Sequence, residues 1–285
     1  MTEEARRVPV GVDTSTPNIA RMTDYFLGGK DNFAVDREAA EELLAIAPEI
    51  KVMAEEHHAF HGRLVRHLVE RGITQFINIG SGLPTRRSTH EIAQSLAADT
   101  RVAYVERDPV VLNHARAILA KAPGTTVVDG DVMHPDELLT DPAIQRLLDL
   151  DRPLAMFIFG ILQYIPDSRR PFEKVARLRD LIPVGSHLAI SHVVFDIRPE
   201  LAEPIVDFYR RFLKRVEDPS RMLHQVLPFF DGLELIEPGL VYLRQWRPDN
   251  PLTTQTSQKG WTVAGVGVKT QATDGQVPAG TRTQP

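Results

Sequence analysis

Residues 74–85 read TQFINIGSGLPT, and this stretch decides the fold. Its β-prone half (74–79) ends at Gly80, and a second glycine follows at Gly82. Glycine at both positions permits a tight turn and lets backbone N–H groups approach a ligand closely. A lone GxG is a weak signal. Here, however, it lies between a predicted strand and a predicted helix (87–97), which is where open α/β sheets bind cofactors. The alternative is a tight loop that binds nothing.

Outward from this loop, short apolar runs alternate with amphipathic ones. We predict strands over 101–105, 125–128, 153–159 and 187–194, and helices over 109–120, 135–148 and 170–181. This alternation indicates a parallel sheet with helices on both faces. After a predicted helix at 202–216, late strands at 233–236 and 261–268 suit an antiparallel pair. The sequence therefore predicts a Rossmann-like α/β fold, with a seven-stranded, mostly parallel sheet whose last strand is antiparallel.

The part of the chain before this sheet is predicted to be helical. Residues 17–27 and 36–47 carry apolar side chains at helical spacing, and Gly28 and Gly29 lie in the loop between them. A longer amphipathic helix is predicted over 49–71. We expect four parts: a flexible N-terminus (1–12), a helical cap or lid (13–48), a Rossmann-like domain (49–269) and a disordered tail (270–285).

Composition excludes several kinds of site. The 285-residue chain contains no cysteine, which rules out disulfides and thiolate metal sites. It shows neither a secretory signal nor an apolar run near the roughly 20 residues that span a bilayer. The net charge of −5 argues weakly against nucleic-acid binding, which needs a basic surface. We expect a cytoplasmic protein with no membrane or nucleic-acid partner, and its oligomeric state stays open.

Residues at three predicted strand ends suggest which cofactor binds. The dinucleotide pattern wants Gly or Ala three residues after the second glycine, but Thr85 stands there, and no P-loop GK[ST] is present. A ligand without phosphates therefore fits better. Glu106 ends the second strand, where a carboxylate can accept both hydroxyls of an adenosyl ribose; a solvated loop acid is the alternative. Asp131 ends the third strand and suits an adenine amino group, although a turn aspartate is nearly as good an interpretation.

With these motifs the chain resembles the class I S-adenosylmethionine-dependent methyltransferases, and more narrowly a bacterial family known simply as S-adenosyl methyltransferases. The likeness covers residues 13–269. It is carried by residues 17–33 (PNIARMTDYFLGGKDNF), 79–85 (IGSGLPT), 104–109 (YVERDP), 183–186 (PVGS), 238–240 (PGL) and 246–248 (WRP). The resemblance implies S-adenosylmethionine (SAM) as cofactor, held by Arg21, Gly28, Gly29, Asn78, Gly80, Ser81, Gly82, Glu106, Arg107, Gly130, Asp131, Val132 and Gly160. The glycine loop would contact the methionyl part, and the cap would cover the cofactor.

Three positions depart from the pattern of this class. Asn78 replaces the usual acid, Glu106 replaces the Asp that is common in closer relatives, and Gln163 stands where many relatives have His. The loss of that His leaves His192, near the end of the fifth predicted strand, as the first candidate for a general base. A structural role is at least as good an interpretation of a histidine in a buried strand. Gln163, Tyr25 and Asp31 are further candidates for orienting an acceptor.

A second group of histidines lies on the helix predicted over 49–71. His57 and His61 are one helical turn apart, but a zinc protease would need Glu at position 58, which is His58. We interpret them as a polar helix face and predict no metal site. The basic clusters near residues 170 and 212 are interpreted as solvated helix faces.

The sequence therefore predicts a SAM-dependent methyltransferase that acts on an unidentified, small-molecule acceptor. Methyl transfer from a sulfonium needs in-line positioning, and it needs a base only if the acceptor loses a proton as it attacks. Two alternatives stay open: a non-catalytic module that senses SAM or its demethylated product, and a nicotinamide-dependent oxidoreductase.

Overall fold

The structure is a computed structural model that describes residues 15–83, 88–119, 122–213, 220–250 and 260–271. The predicted flexible N-terminus (1–12) and nearly all of the predicted tail (270–285) lie outside these ranges. So do Thr85, which argued against a dinucleotide, and the end of the helix predicted over 202–216. In the described part of the chain, no helix is both long and apolar enough to span a bilayer.

One mixed sheet forms the centre of the described fold. Its strands are β1 (Gln75–Ile79), β2 (Arg101–Glu106), β3 (Thr125–Asp129), β4 (Ala155–Phe159), β5 (His187–Val193), β6 (Glu234–Leu235), β7 (Val241–Tyr242) and β8 (Thr262–Val268). The strand order is β3-β2-β1-β4-β5-β8-β6, with β7 also paired to β8. Strands β1 to β5 are parallel neighbours, whereas β8 runs antiparallel to β5, β6 and β7.

This architecture confirms the predicted fold class, with two differences in detail. The sheet has eight strands in the described residues, because the two-residue β7 is too short to produce a periodic signal. The predicted late strands do pair antiparallel, but β8 inserts next to β5, and β6 and β7 share the edge beyond β8. Parallel strands place their carboxyl ends at one edge of the sheet, where ligands bind in open α/β folds.

Helices flank the sheet, and their ends follow local sequence signals. They are α1 (Ile19–Phe26), α2 (Ala34–Ile46), α3 (Ile50–Val69), α4 (Thr89–Leu96), α5 (Pro109–Ile118), α6 (Pro135–Thr140), α7 (Pro142–Leu147), α8 (Pro171–Leu181), α9 (Ala202–Leu213) and α10 (Leu223–Val226). The helix predicted over 135–148 is in fact two. Asp141 ends α6 and caps α7 by accepting from the N–H groups of Ala143 and Ile144, and Pro142 begins α7.

Alternate side chains of the central strands enter two separate apolar layers. Ile77 and Ile158 face one layer with α6 and α8, whereas Phe76 and Phe157 face the other with α3, α4 and α5. A third apolar cluster joins α1, α2 and α3 to α9 and to Trp261, next to β8. The N-terminal helices are therefore fastened to the body of the protein through an apolar core of their own.

Candidate active site

A cavity of about 1150 Å³ lies between the N-terminal helices and the carboxyl ends of the central strands. This volume exceeds the roughly 300–1,000 Å³ of typical ligand pockets, so it has room for a cofactor and a second molecule. Following the strand order, the cavity has two ends. The β2–β3 end is lined by Gly80, Ser81, Gly82, Glu106, Arg107 and Asp131, and the β5–β8 end by Met53, His57, Phe159, Ser191, His192, Phe195 and Trp261.

The glycine loop after β1 has a backbone that other residues would strain. Gly80 and Gly82 have φ angles of +64° and +72°, in the left-handed region. A Cβ at Gly80 would also lie 2.4 Å from Ile161 Cδ1. The loop can therefore pass close under the segment that follows β4 only because position 80 has no side chain.

Glu106 is buried at the end of β2, with 5% of its surface exposed. Its Oε1 accepts hydrogen bonds from the Gly82 N–H at 2.6 Å and the Ser81 hydroxyl at 2.9 Å. Burial raises the pKa of Glu106 to about 7, although both hydrogen bonds favour the charged form. This carboxylate and the glycine loop thus form one unit that faces the cavity.

Asp131 also lines the β2–β3 end, but neighbouring groups already occupy its oxygens. Its Oδ1 accepts from the Met133 N–H at 3.0 Å, and its Oδ2 pairs with Arg107 Nη1 at 2.6 Å. Gly130 and Val132 do not line the cavity: Gly130 abuts Val105, and the Val132 side chain is in the core. The adenine contacts expected of Val132 are thus limited to its backbone.

The geometry of His192 argues against the general-base role predicted for it. Its Nδ1 lies 2.5 Å from the Val193 carbonyl oxygen, and its Nε2 lies 3.0 Å from Arg221 Nη1. Because a carbonyl only accepts and a guanidinium only donates, Nδ1 carries the proton and the Nε2 lone pair accepts from Arg221. Burial lowers the pKa of His192 to about 3. Although the residue lines the cavity, its basic lone pair is already engaged, and the ring serves to position Arg221.

Gln163 lines the cavity in an orientation that the backbone fixes. Its Oε1 accepts from the Val193 N–H at 3.0 Å. This contact requires the amide oxygen at that place, and within the described ranges the amide nitrogen makes no hydrogen bond. Gln163 can therefore donate to a molecule at the β5–β8 end, which agrees with an orienting role.

The histidines of α3 are interpreted from the sequence as a polar helix face, and in the structure that face is turned to the cavity. His57 Nε2 lies 2.9 Å from Ser191 Oγ, and His61 Nε2 lies 2.9 Å from Thr89 Oγ1. Burial, together with neighbouring histidines, lowers the pKa of His57 to about 4 and that of His61 to about 3. Their i, i+4 spacing was the available signal, because it places both rings on one helix face.

Asn78, the departure in β1, belongs to the same polar group. Its Nδ2 donates to Thr89 Oγ1 at 3.1 Å, and that hydroxyl is also the partner of His61. Gly160, after β4, lines the cavity and donates its N–H to Ser191 Oγ at 3.1 Å. Loops after four neighbouring strands thus converge on one cavity.

The sequence matches the S-adenosyl methyltransferase family over residues 5–270. The chain belongs to this family. It is accordingly a SAM-dependent methyltransferase, as the resemblance predicted. None of the findings favours the nicotinamide-dependent or sensor alternatives.

Two solved structures resemble this S-adenosyl methyltransferase over nearly their whole length. A candidate methyltransferase from Thermobifida fusca YX is 38% identical, with a TM-score of 0.86 over 94% of this chain and 100% of that one. A DUF574 family protein from Streptomyces avermitilis MA-4680 is 34% identical, with a TM-score of 0.84 over 90% and 99% of the two chains. No curated protein sequence matches the chain.

The β2–β3 end has a donor and acceptor set that fits SAM. The carboxylate of Glu106 only accepts, as a pair of ribose hydroxyls requires, and the cavity wall beside it is the turn of Gly80 and Gly82, which carries no side chain at these two positions. No described group of three or more His, Asp or Glu side chains is arranged to hold a metal ion.

Four predicted site residues of the cap, Arg21, Tyr25, Gly28 and Gly29, do not line the cavity. Arg21 is 1% exposed, and its Nε lies 2.7 Å from Asp36 Oδ2, so it is a buried structural cation. Gly28, Gly29 and Tyr25 do not line the cavity, and the Tyr25 hydroxyl donates to Glu41 at the surface. The cap instead reaches the cavity through the residues Thr16–Ala20, Met22–Asp24, Phe26 and Leu27.

Asp24 explains why two glycines follow α1. Its Oδ2 accepts from the Asp31 N–H and from Asn32 Nδ2, both at 2.8 Å. A Cβ on Gly29 would lie 1.9 Å from Asp24 Oδ1, so position 29 must leave room for this carboxylate. Gly28 has a φ of +75° and open space around it, so it supplies only the left-handed turn.

We expect Gly29→Ala to destabilise the protein by about 1–3 kcal/mol, the range for an overpacked site, because Asp24 must leave its loop partners. Chemical denaturation measures the loss. Gly28→Asn is the matched control and should lose less, since Asn tolerates left-handed backbone and meets no neighbour. Equal losses in both variants would contradict the role given to Asp24.

Proposed function

We propose that this methyltransferase transfers a methyl group from SAM to a small molecule bound in the β5–β8 end of the same cavity. The observation that carries the proposal is the continuity of that cavity. The predicted cofactor residues at one end share it with apolar and histidine side chains at the other. A near-contact between donor and acceptor is the main requirement for in-line displacement.

The cofactor roles follow from the geometry of the β2–β3 end. We assign the ribose hydroxyls to Glu106, whose buried carboxylate faces the cavity. The methionyl part belongs with Gly80, Ser81 and Gly82, and the adenine with Asp131 and the backbone of Val132. Asn78, near the end of β1, and Gly160, after β4, complete the proposed SAM site. Arg107 orients Asp131 through their ion pair.

The chain's own residues contribute positioning and the exclusion of water. When bound, SAM supplies an already activated methyl group. Helices α1 and α3 cover the cavity. They line it with Met22 and Met53, which are 1% and 7% exposed. A covered, largely apolar space strengthens the contacts that hold the acceptor in line.

The shape of the cavity supports a small-molecule acceptor. The cap helices pack against α9 and Trp261 through their own apolar cluster, which lies over the β5–β8 end. A folded protein or a duplex would have to displace that cluster to reach it. The net charge of −5 adds no attraction for nucleic acid.

The test separates acceptor classes by size. Protein, methyl-labelled SAM and a cell extract divided by ultrafiltration are combined, and the transferred label is located. We expect the label in the small-molecule fraction, and at subsaturating SAM much less of it with Glu106→Gln. Label confined to the macromolecular fraction would overturn the small-molecule proposal. Failure of the wild type to bind SAM in a calorimetric titration would overturn the cofactor assignments.

A further inference from the structure

The β5–β8 end of the cavity has a wall of apolar side chains. They come from the cap, from α3 and α9, and from the segments beside β5 and β8, and they are buried and uncharged: Met22, Phe26, Met53, Phe195, Ile205 and Trp261. Charged side chains of the cavity, Asp24 and Arg169, flank this wall, but an ionised group seated against the six apolar side chains would lose its hydration, which is costly. This wall therefore suits a neutral molecule with a flat or apolar body.

His57 places a hydrogen-bonding ring at the same end. Its Nε2 is 2.9 Å from Ser191 Oγ, and that oxygen also accepts from the Gly160 N–H at 3.1 Å. The ring packs edge-on against Phe159, with 5.3 Å between the ring centroids. His57 is thus fixed where β4 and β5 end, close to Gly160, which we place at the cofactor site.

One ring nitrogen of His57, Nδ1, is left for a ligand. Within the described ranges its Nδ1 makes no hydrogen bond, whereas Nε2 is held by Ser191. Burial keeps the ring neutral at pH 7, so Nδ1 offers a ligand an N–H or a lone pair, according to the tautomer, and the ring adds no positive charge beside a sulfonium. Gln163, with its amide nitrogen uncommitted, lines the same end.

We propose that the β5–β8 end is the acceptor site, and that it takes a neutral molecule with an aromatic or apolar body and one hydroxyl or amino group, which hydrogen-bonds to His57. This inference rests on the proposed function, since it names the acceptor class for that cavity. It assigns the positioning of the acceptor to α3 rather than to His192 on β5.

The experiment uses the full chain saturated with S-adenosylhomocysteine (SAH), titrated by calorimetry with three probes that share one ring: 4-methylphenol, toluene and 4-methylbenzoate. We expect 4-methylphenol to bind, toluene to bind about fivefold more weakly, and the benzoate not to bind at pH 7. Fivefold is the usual effect of losing one hydrogen bond between neutral groups. Equal binding of the phenol and toluene, or preference for the benzoate, would overturn the proposed acceptor class.

Substitution then tests His57 itself. His57→Phe keeps an aromatic ring against Phe159, so its phenol affinity should fall to the level of toluene while SAH affinity stays unchanged. His57→Gln should recover part of the phenol preference, and it also serves if the Phe variant does not fold. His67→Phe, on the same helix but packed on Trp246 outside the cavity, is the control and should leave the preference intact. A His57→Phe protein that still prefers the phenol would overturn the role of His57. Failure of the wild type to bind SAH would instead count against the proposed function.

Discussion

Glu106→Gln is expected to weaken SAM binding by about 1.5–3 kcal/mol, or roughly 10- to 150-fold, while making the unliganded protein more stable at pH 8. The first effect follows because an amide offers one accepting oxygen, with no charge, where the carboxylate offers two. The second follows from burial. Without a ligand, the partners of the carboxylate among the described residues are Ser81 and Gly82, which do not offset its loss of water.

The pH dependence of this stability has a definite sign. Burial raises the pKa of Glu106 from 4.5 to about 7, so below pH 4.5 the side chain is protonated in both the folded and the unfolded state. Between pH 4.5 and 7 only the folded state keeps the proton, and stability falls as the pH rises. Above pH 7 the full difference applies, about 3 kcal/mol for this pKa gap. The advantage of the Gln variant should therefore grow from near zero at pH 4.5 to about 3 kcal/mol at pH 8.

Urea denaturation of both proteins at pH 4.5, 6 and 8, without ligand, measures this difference, and calorimetry measures SAM affinity at pH 8. Glu70→Gln, at an exposed position at the end of α3, is the control and should track the wild type at every pH. If Glu106→Gln and wild type show parallel stability profiles, Glu106 is not a strained buried acid. A site that binds its ligand through a group that destabilises the unliganded fold trades stability for function.

The position of Glu106 could be predicted from sequence because it depends on local pattern alone. The next β-prone run after the glycine turn and its helix ends in an acid. This pattern places a carboxylate at the carboxyl edge of a parallel sheet. Strand and helix periods gave the architecture in the same way. By contrast, β7 depends on pairing with a strand some 20 residues later, and two residues carry no period of their own.

The roles of the histidines could not be predicted, because they depend on tertiary packing. His192 is engaged by Arg221, which is 29 residues away and reaches it through a loop contact rather than a periodic one. His57 and His61 have a spacing that fits either a solvated or a buried face. Only the packing of α3 against the ends of β4 and β5 decides between them, since an imidazole is compatible with both environments.

Asp36→Ala is the stability prediction with the largest expected effect, a loss of about 3–5 kcal/mol. Asp36 is fully buried and accepts from the N–H groups of Asn18 and Phe33, at 2.9 and 2.8 Å, besides pairing with Arg21. Removing the carboxylate takes away the charge that lies 2.7 Å from a guanidinium that is 1% exposed, and leaves two backbone donors without this acceptor.

Two comparisons isolate this effect by urea denaturation. The surface pair Arg211–Glu42 also involves α2, but its side chains are 61% and 49% exposed, so Glu42→Ala should cost less than about 1 kcal/mol. The double variant Arg21→Met with Asp36→Leu should recover much of the loss, because it removes both buried charges together. If Asp36→Ala costs no more than Glu42→Ala, the buried pair does not hold the cap.

The same substitution tests whether the cap takes part in cofactor binding. Asp36 holds the backbone of Asn18, and Asn18 Nδ2 donates to Asp108 Oδ2 at 2.6 Å, two residues after Glu106. A loosened cap therefore loses its polar link to Asp108, in the segment that follows Glu106. The conformation that binds SAM then becomes less populated. We expect Asp36→Ala to show faster hydrogen exchange in α1 and α2 together with weaker SAM binding. Faster exchange with unchanged SAM affinity would mean that the cap covers the acceptor alone, and that the cofactor is held entirely by the loops after β1, β2 and β3.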